Sequence, residues 1–219
     1  MESFQNFIQA LDVSALSGFL LRLVGAFLCL TVHETCHGAA AYALGDPTAK
    51  SMHRLSLNPL RHIDWMGFAM MLVVGFGWAK PVPVDMRYFK KPKQGMALTA
   101  LAGPVSNFVL AALLMLGARG IYHYAAYTVV WDTLFNFLLD TAALSIGLGL
   151  FNLIPIPPLD GSKVLGALLP DGAYMKLMHY ERYGMVLLLL LAVTDFGGQW
   201  LSRGIAAVFE LFVNLIVLR

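Results

Sequence analysis

The chain has 219 residues, of which 58% are hydrophobic and 13% charged, with a mean hydropathy of +0.69. Soluble domains carry about 25% charged residues, so this composition cannot cover a water-facing surface and implies an integral membrane protein. A net charge of +2, with the basic residues in loops and no basic stripe, excludes a nucleic-acid binder. Cys29 and Cys36 are seven residues apart in one apolar segment, about 10 Å along a helix, too far for a disulfide. The residues ahead of the first apolar run include acids but no Lys or Arg, so the basic region of a cleaved signal peptide is missing and the first span is expected to be retained.

Val13–Val32 is apolar except for Arg22, and predicts a first span that continues through His33 and His37 to about Leu44, where Gly45-Asp46-Pro47 ends it. The polar stretch 48–64 allows a short strand. Residues 65–79 are uncharged but too short for a full crossing, which predicts a short or re-entrant helix. Pro81, Pro83 and Pro92 exclude a regular helix from 80–93, and Pro81-Val82-Pro83-Val84 suits an extended edge. Gln94–Ala118 has no charge and is the clearest span; Thr128–Leu153 is another, which must accommodate Asp132 and Asp140. The Pro-rich break 154–162 follows, then Tyr183–Thr194, a turn at Asp195-Phe196-Gly197-Gly198 and a last span to Leu218. The expected fold is an all-α polytopic membrane protein of one domain over 1–219. It has five to six transmembrane or re-entrant helices and short β segments near 48–64 and 79–85, with a catalytic core over about 13–170 and C-terminal helices over about 173–219.

Short loops rich in Lys and Arg tend to stay in the cytoplasm. A re-entrant 65–79 keeps the basic loops on its two sides together, which places the N-terminus outside, residues 33–37 near the cytoplasmic face, Asp160 in the same leaflet and Arg219 inside. Lys90, Lys91 and Lys93 read as part of that signal.

His33-Glu34-Thr35-Cys36-His37 puts two imidazoles at i and i+4 on one helical face, with a carboxylate beside the first. Two such nitrogens can hold a zinc ion, which lowers the pKa of bound water while the carboxylate accepts the proton. Solvated histidines at a helix end are the bland reading, but three ionisable groups in one turn of an apolar span favour a metal site. A catalytic zinc needs one more protein ligand; Asp46, His53, His62, Asp64, His123, Asp160, Asp171 and His179 are candidates. Asp160 stands out in the unwound break beside Gly161 and is favoured as the ligand, with capping of the following helix as the simpler alternative. His53 and His62 lie in a loop that would cover the site, where solvated histidines are the simpler reading. Asp132 and Asp140 are eight apart and could share a face. Cys36 reads as a small packing residue.

His33-Glu34-x-x-His37, Ala102-Gly103-Pro104-x-x-Asn107 and Asn152-Leu153-x-Pro155-x-Pro157-Pro158-Leu159-Asp160-Gly161 resemble, in order and spacing, the motifs of the site-2 protease family of intramembrane zinc metalloproteases. Lesser agreement comes from 45–50, 57–64 and 77–84, so that the resemblance covers residues from about 20 to 170. It implies Zn2+ held by His33, His37 and Asp160, Glu34 as the base that activates water, and Asn107 near the site. There Asn107 would hold the substrate strand or steady the oxyanion, or else make a hydrogen bond between helices. It also implies that 48–64 and 79–85 present the substrate, a transmembrane protein or peptide, as an extended strand. Many relatives carry a PDZ or CBS domain for which this chain has no room, so a separate regulatory protein or the substrate itself is expected to control it. The expected location is the bacterial inner membrane, with the active site towards the cytoplasm. The alternative is a membrane zinc transporter or sensor built on the same His/Asp cluster, which would need ligands staged along the membrane normal.

Overall fold

The computed structural model describes residues 13–74, 79–179, 183–184, 187–188, 190 and 195–218. Helix α1 (Val13–Ala43) is followed by a single helical turn α2 (Thr48–Ser51) and a short α3 (Trp65–Val74). The long helices α4 (Pro92–Tyr124) and α5 (Val129–Asn152) come next, then α6 (Asp160–Leu168), α7 (Asp171–His179) and α8 (Asp195–Phe212), which runs on as a π turn to Val217. Among the described residues, four helices are long and apolar enough to cross a membrane: Leu16–Ala43, Pro92–Tyr124, Val129–Asn152 and Gly198–Val217. The protein is therefore an integral membrane protein, as its composition implies. The expected helix 183–194 lies largely outside the described residues.

The long helices pack where small residues let backbones approach. Gly25 of α1 sits against Thr141 of α5, and the Cys29 thiol reaches the Thr141 carbonyl at 3.6 Å. Gly149 of α5 lies over the Pro104 carbonyl of α4, while Ser145 Oγ donates to the Asn107 carbonyl at 2.8 Å. Such small-residue seams replace the hydrophobic drive that lipid removes. Ala111, Met115, Ala142, Ile146 and Val217 form the buried centre between α4, α5 and the end of α8.

The short α3 spans about 15 Å at 1.5 Å per residue, half the hydrocarbon thickness. The chain on its two sides meets again: Ile63 and Ala79 form an antiparallel bridge, and Lys80 N donates to His62 O at 2.9 Å. A crossing would leave those ends about 30 Å apart, so α3 enters and the chain returns at Ala79 to the side it left.

Two expectations are corrected. The β segments at 48–64 and 79–85 shrink to that one bridge, with no strand among the described residues. Pro81 and Pro83 lack the amide hydrogens of a ladder, and side chains hold 79–85 instead. Arg54 Nη2 donates to the Lys80 and Pro81 carbonyls at 2.7 and 3.3 Å, Val82 N donates to Glu34 Oε2 at 2.9 Å, and Asp85 N donates to Asp46 Oδ2 at 2.7 Å. The second correction concerns the last helix. Residues 195–198, expected as a turn, already belong to α8. Ile205 packs at Gly147 on the site's side of α5, whereas Arg119 near the far end of α4 donates to the Ile216 carbonyl at 2.9 Å. The last helix thus ends opposite the site, where the sequence suggested a return to the same side.

Candidate metal and active site

The turn His33–His37 lies inside α1, about 9 to 15 Å before its C-terminal end at Ala43. One face of that turn is covered by α4. Thr99 O accepts a hydrogen bond from His37 Nδ1 at 2.7 Å. A carbonyl can only accept, so Nδ1 carries the proton and Nε2 of the neutral ring keeps its lone pair for a metal. Gly103, one turn along α4, lies flush against both rings: a Cβ there would fall 2.5 Å from His37 Cε1 and Nε2 and 2.7 Å from His33 Cε1.

Asp160 arrives from the other side. Helix α5 ends at Asn152, the Pro-rich break turns the chain, and Asp160 opens α6 with its carboxylate directed at the histidines. Leu159, not Asp160, is the N-cap residue, and no side chain caps the helix. Gly161 is required because a Cβ at that position would run into the carbonyl oxygens of Leu153 and Ile154. Asp160 Oδ2 lies 3.2 Å from His33 Nε2 and 3.1 Å from His37 Nε2, which are 3.0 Å apart, while Oδ1 faces Lys163 Nζ at 3.5 Å. Burial alone would raise the Asp160 carboxyl, but its close contacts with His33 and His37 and the Lys163 charge hold it well below the usual carboxylate range. The group is ready to act as an anionic ligand at neutral pH.

These three donors, all on buried residues, form the only such group among the described residues and could hold a metal ion. The donor set fits zinc. Tetrahedral ligands about 2.0–2.1 Å from one ion lie roughly 3.3 Å from each other, close to the observed 3.0–3.2 Å. His33 Nδ1 is buried without a partner.

The half-buried Glu34 projects beside this group, and its Oε2 is held by the Val82 amide. It stands between two cavities. One, of about 240 Å³, is mainly apolar, with Phe27, Phe68, Phe151 and Leu188 in its wall. The other, of about 490 Å³, includes His37, Thr99, Asp160 and Lys163. His33, Glu34, Ala79, Asn152 and Pro158 line both. Pro104 has no amide hydrogen for the Ala100 carbonyl four residues earlier, which leaves an acceptor in the wall of the larger cavity.

The remaining candidates lie elsewhere. Asp46, fully buried, accepts from Thr48 N at 2.9 Å and from Asp85 N, clamping the turn after α1 to the 79–85 segment. Asp64 caps α3 through Met66 N and Gly67 N. Asp171 pairs with Lys93, which holds its carboxyl below the usual range. His53 is exposed at a positive φ of 54°, His123 stacks edge-on with Tyr122 near the end of α4, and His179 closes α7. His62 differs from the solvated loop residue expected: it is 3% exposed, bonds Ser56 O at 2.7 Å and lines the apolar cavity. Asn107 is fully buried one turn beyond Gly103, neither atom of its carboxamide has a partner, and it lines neither cavity. Sequence reasoning assigned no role to Thr99 and Lys163, nor to Gly103 and Val82, although both of the latter stand in its motifs. Only Gly103, as the invitation to close approach within an apolar helix, left a readable signal.

Comparison with known proteins agrees with this chemistry. Residues 117–192 match the model of Peptidase family M50. YwhC of Bacillus subtilis (strain 168) is 39% identical over 209 residues, covering 91% of this chain and 93% of that protein. Rip2 of Mycolicibacterium smegmatis is 29% identical over 188 residues, 83% of this chain and 70% of Rip2. RasP of Oceanobacillus iheyensis is 39% identical over 88 residues, 37% of this chain and 20% of RasP. All three carry zinc metalloprotease names. No solved structure gives a significant match. The chain belongs to peptidase family M50, the site-2 proteases, and is a zinc metalloprotease.

Proposed function

We propose that the protein hydrolyses a peptide bond in or near the transmembrane segment of another membrane protein, with zinc held by His33, His37 and Asp160 and Glu34 as general base. The observation that carries this reading is the convergence of three buried donors, 3.0–3.2 Å apart, beside a carboxylate that lines both cavities. When bound, zinc supplies Lewis acidity, polarising the scissile carbonyl and making water acidic enough to lose a proton near neutral pH.

The chain's own residues do the rest. The Val82 amide fixes one Glu34 oxygen and leaves the other free to take a proton from water and later deliver it to the leaving amine. Thr99 fixes the His37 tautomer, and Lys163 holds the Asp160 oxygen that faces away from the histidines. A helical peptide bond is shielded by its own hydrogen bonding, so a transmembrane substrate must unwind before attack. The apolar cavity receives its side chains, and the segment 81–84 offers an extended edge beside Glu34. Asn107 keeps a place in the proposal, as a free carboxamide one turn from Gly103 that could hold the strand or steady the oxyanion. Donors gathered at one point favour hydrolysis over transport, which needs sites in series.

The basic loops at this end of the bundle support a site on the cytoplasmic side, and the membrane we propose is a bacterial inner membrane. The test compares the membrane proteomes of cells carrying the native chain and the Glu34→Gln variant. A membrane-protein tail fragment present only with the native chain supports the reading; identical fragment patterns contradict it.

A further inference from the structure

A second polar group lies between α1 and α5, towards the end of the bundle opposite the metal site. Arg22, Asp132, Thr133, Asn136, Asp140 and Thr141 line a groove of about 250 Å³ there. Asp132, Asn136 and Asp140 follow each other at intervals of four and share one face of α5. All three and Arg22 are exposed on spans that face lipid, and none of the four side chains makes a hydrogen bond or ion pair among the described residues.

Their depth decides what can cover them. Asp140 is 11 residues from Val129 and 12 from Asn152, roughly 16–18 Å from each end of the span. It sits at mid-membrane, where an unpaired carboxylate is costly. Asp132, in the first turn, reaches headgroup water. Helices α1 and α5 run parallel, with Gly25 beside Thr141. Arg22 is one turn above Gly25, so its Cα falls level between Asn136 and Asp140. The groove therefore holds a cation and an anion at one depth. Gly18 beside it has open space where a Cβ would be, and Leu21 and Leu144 flank it, 37% and 41% exposed.

We propose that this groove is the contact face of a homodimer in the membrane, in which Arg22 of each copy pairs with Asp140 and Asn136 of the other. A groove of one sign would call for a different partner of opposite sign. A face carrying both signs complements itself, provided that pairing residues meet at equal depth. A twofold axis along the membrane normal preserves depth, so two copies of the same orientation satisfy both pairs at once. Gly18 permits the close approach and the two leucines pack around the pairs.

The experiment uses the full-length protein in liposomes, with donor- and acceptor-labelled copies mixed and energy transfer followed as lipid is added. The native chain self-associates. Arg22→Asp and Asp140→Arg each give the face a single sign and weaken self-association about tenfold or more, from two lost pairs per dimer. Mixing the two variants restores association, because both cross-pairs become complementary. The milder Arg22→Gln and Asp140→Asn weaken it without risking the fold. Cleavage by the monomeric variants is unaffected, since the groove does not reach the metal site. A native chain that stays monomeric at every dilution overturns the proposal. So do single variants that associate like the native chain, or a mixture that fails to recover, as expected if Arg22 pairs within its own copy or a different membrane protein covers the groove.

Discussion

Replacing Gly103 by Ala tests the site's construction at a residue that carries no chemistry. A Cβ at 103 would fall 2.5 Å from His37 Cε1 and Nε2 and 2.7 Å from His33 Cε1. Non-bonded carbon contacts settle near 3.5 Å, so the rings must retreat by roughly 1 Å or α4 must move away. Ala favours the helix over Gly by about 1 kcal/mol, and overpacking costs about 1–3 kcal/mol, so global stability changes little. Function is more sensitive. Metal ligands tolerate about 0.2 Å of error, and a misplacement of about 1 Å costs about 100-fold in rate. Gly120→Ala, on the same helix with nothing within 4 Å of the added methyl, serves as the control. The assay measures cleavage of a membrane substrate, zinc content and thermal unfolding for all three proteins. Gly103→Ala should lose about 100-fold in cleavage and bind zinc more weakly with its unfolding temperature nearly kept. Native cleavage and zinc content in Gly103→Ala would refute the argument that Gly103 fixes the two imidazoles.

Other outcomes follow from the same geometry. His33→Ala, His37→Ala and Asp160→Ala should each purify with much less zinc and without activity, checked by metal analysis beside the cleavage assay. Val82→Pro removes the amide that holds Glu34, and should slow cleavage by about 10- to 100-fold while leaving zinc content unchanged. Asp46→Ala orphans the donors of Thr48 and Asp85, and should destabilise the protein by about 2–3 kcal/mol in denaturant titration. Single cysteines at positions 91 and 218 in a background lacking Cys29 and Cys36 should react with a membrane-impermeant reagent from opposite sides, since α8 ends opposite the site.

Much of the site was legible because its chemistry is local. His33, Glu34 and His37 lie within one helical turn, and the Pro-rich break marks where the chain turns before Asp160 opens α6. The spans were legible too, since Gln94–Ala118 and Thr128–Leu153 are apolar runs of membrane length, found within α4 and as α5. What could not be read depends on contacts between distant segments. The extended look of 81–84 does not say that Arg54, Glu34 and Asp46 will bind the backbone of 80–85 in place of a neighbouring strand. The burial of His62 arises only because the re-entrant segment returns Ala79 to Ile63. The direction of α8 escaped because loop charge is a weak guide to a C-terminal helix, and Arg119 gives no hint in sequence that it meets Ile216.

In the proposed division of labour His33, His37 and Asp160 hold zinc and Glu34 moves the proton. The most direct measurement is paired zinc content and cleavage rate for purified Glu34→Gln, which keeps the shape and the Val82 hydrogen bond but removes the base. It should hold one zinc per chain, like the native protein, and show no cleavage. Cleavage at the native rate with zinc in place would contradict the assignment of Glu34 and, with it, the mechanism.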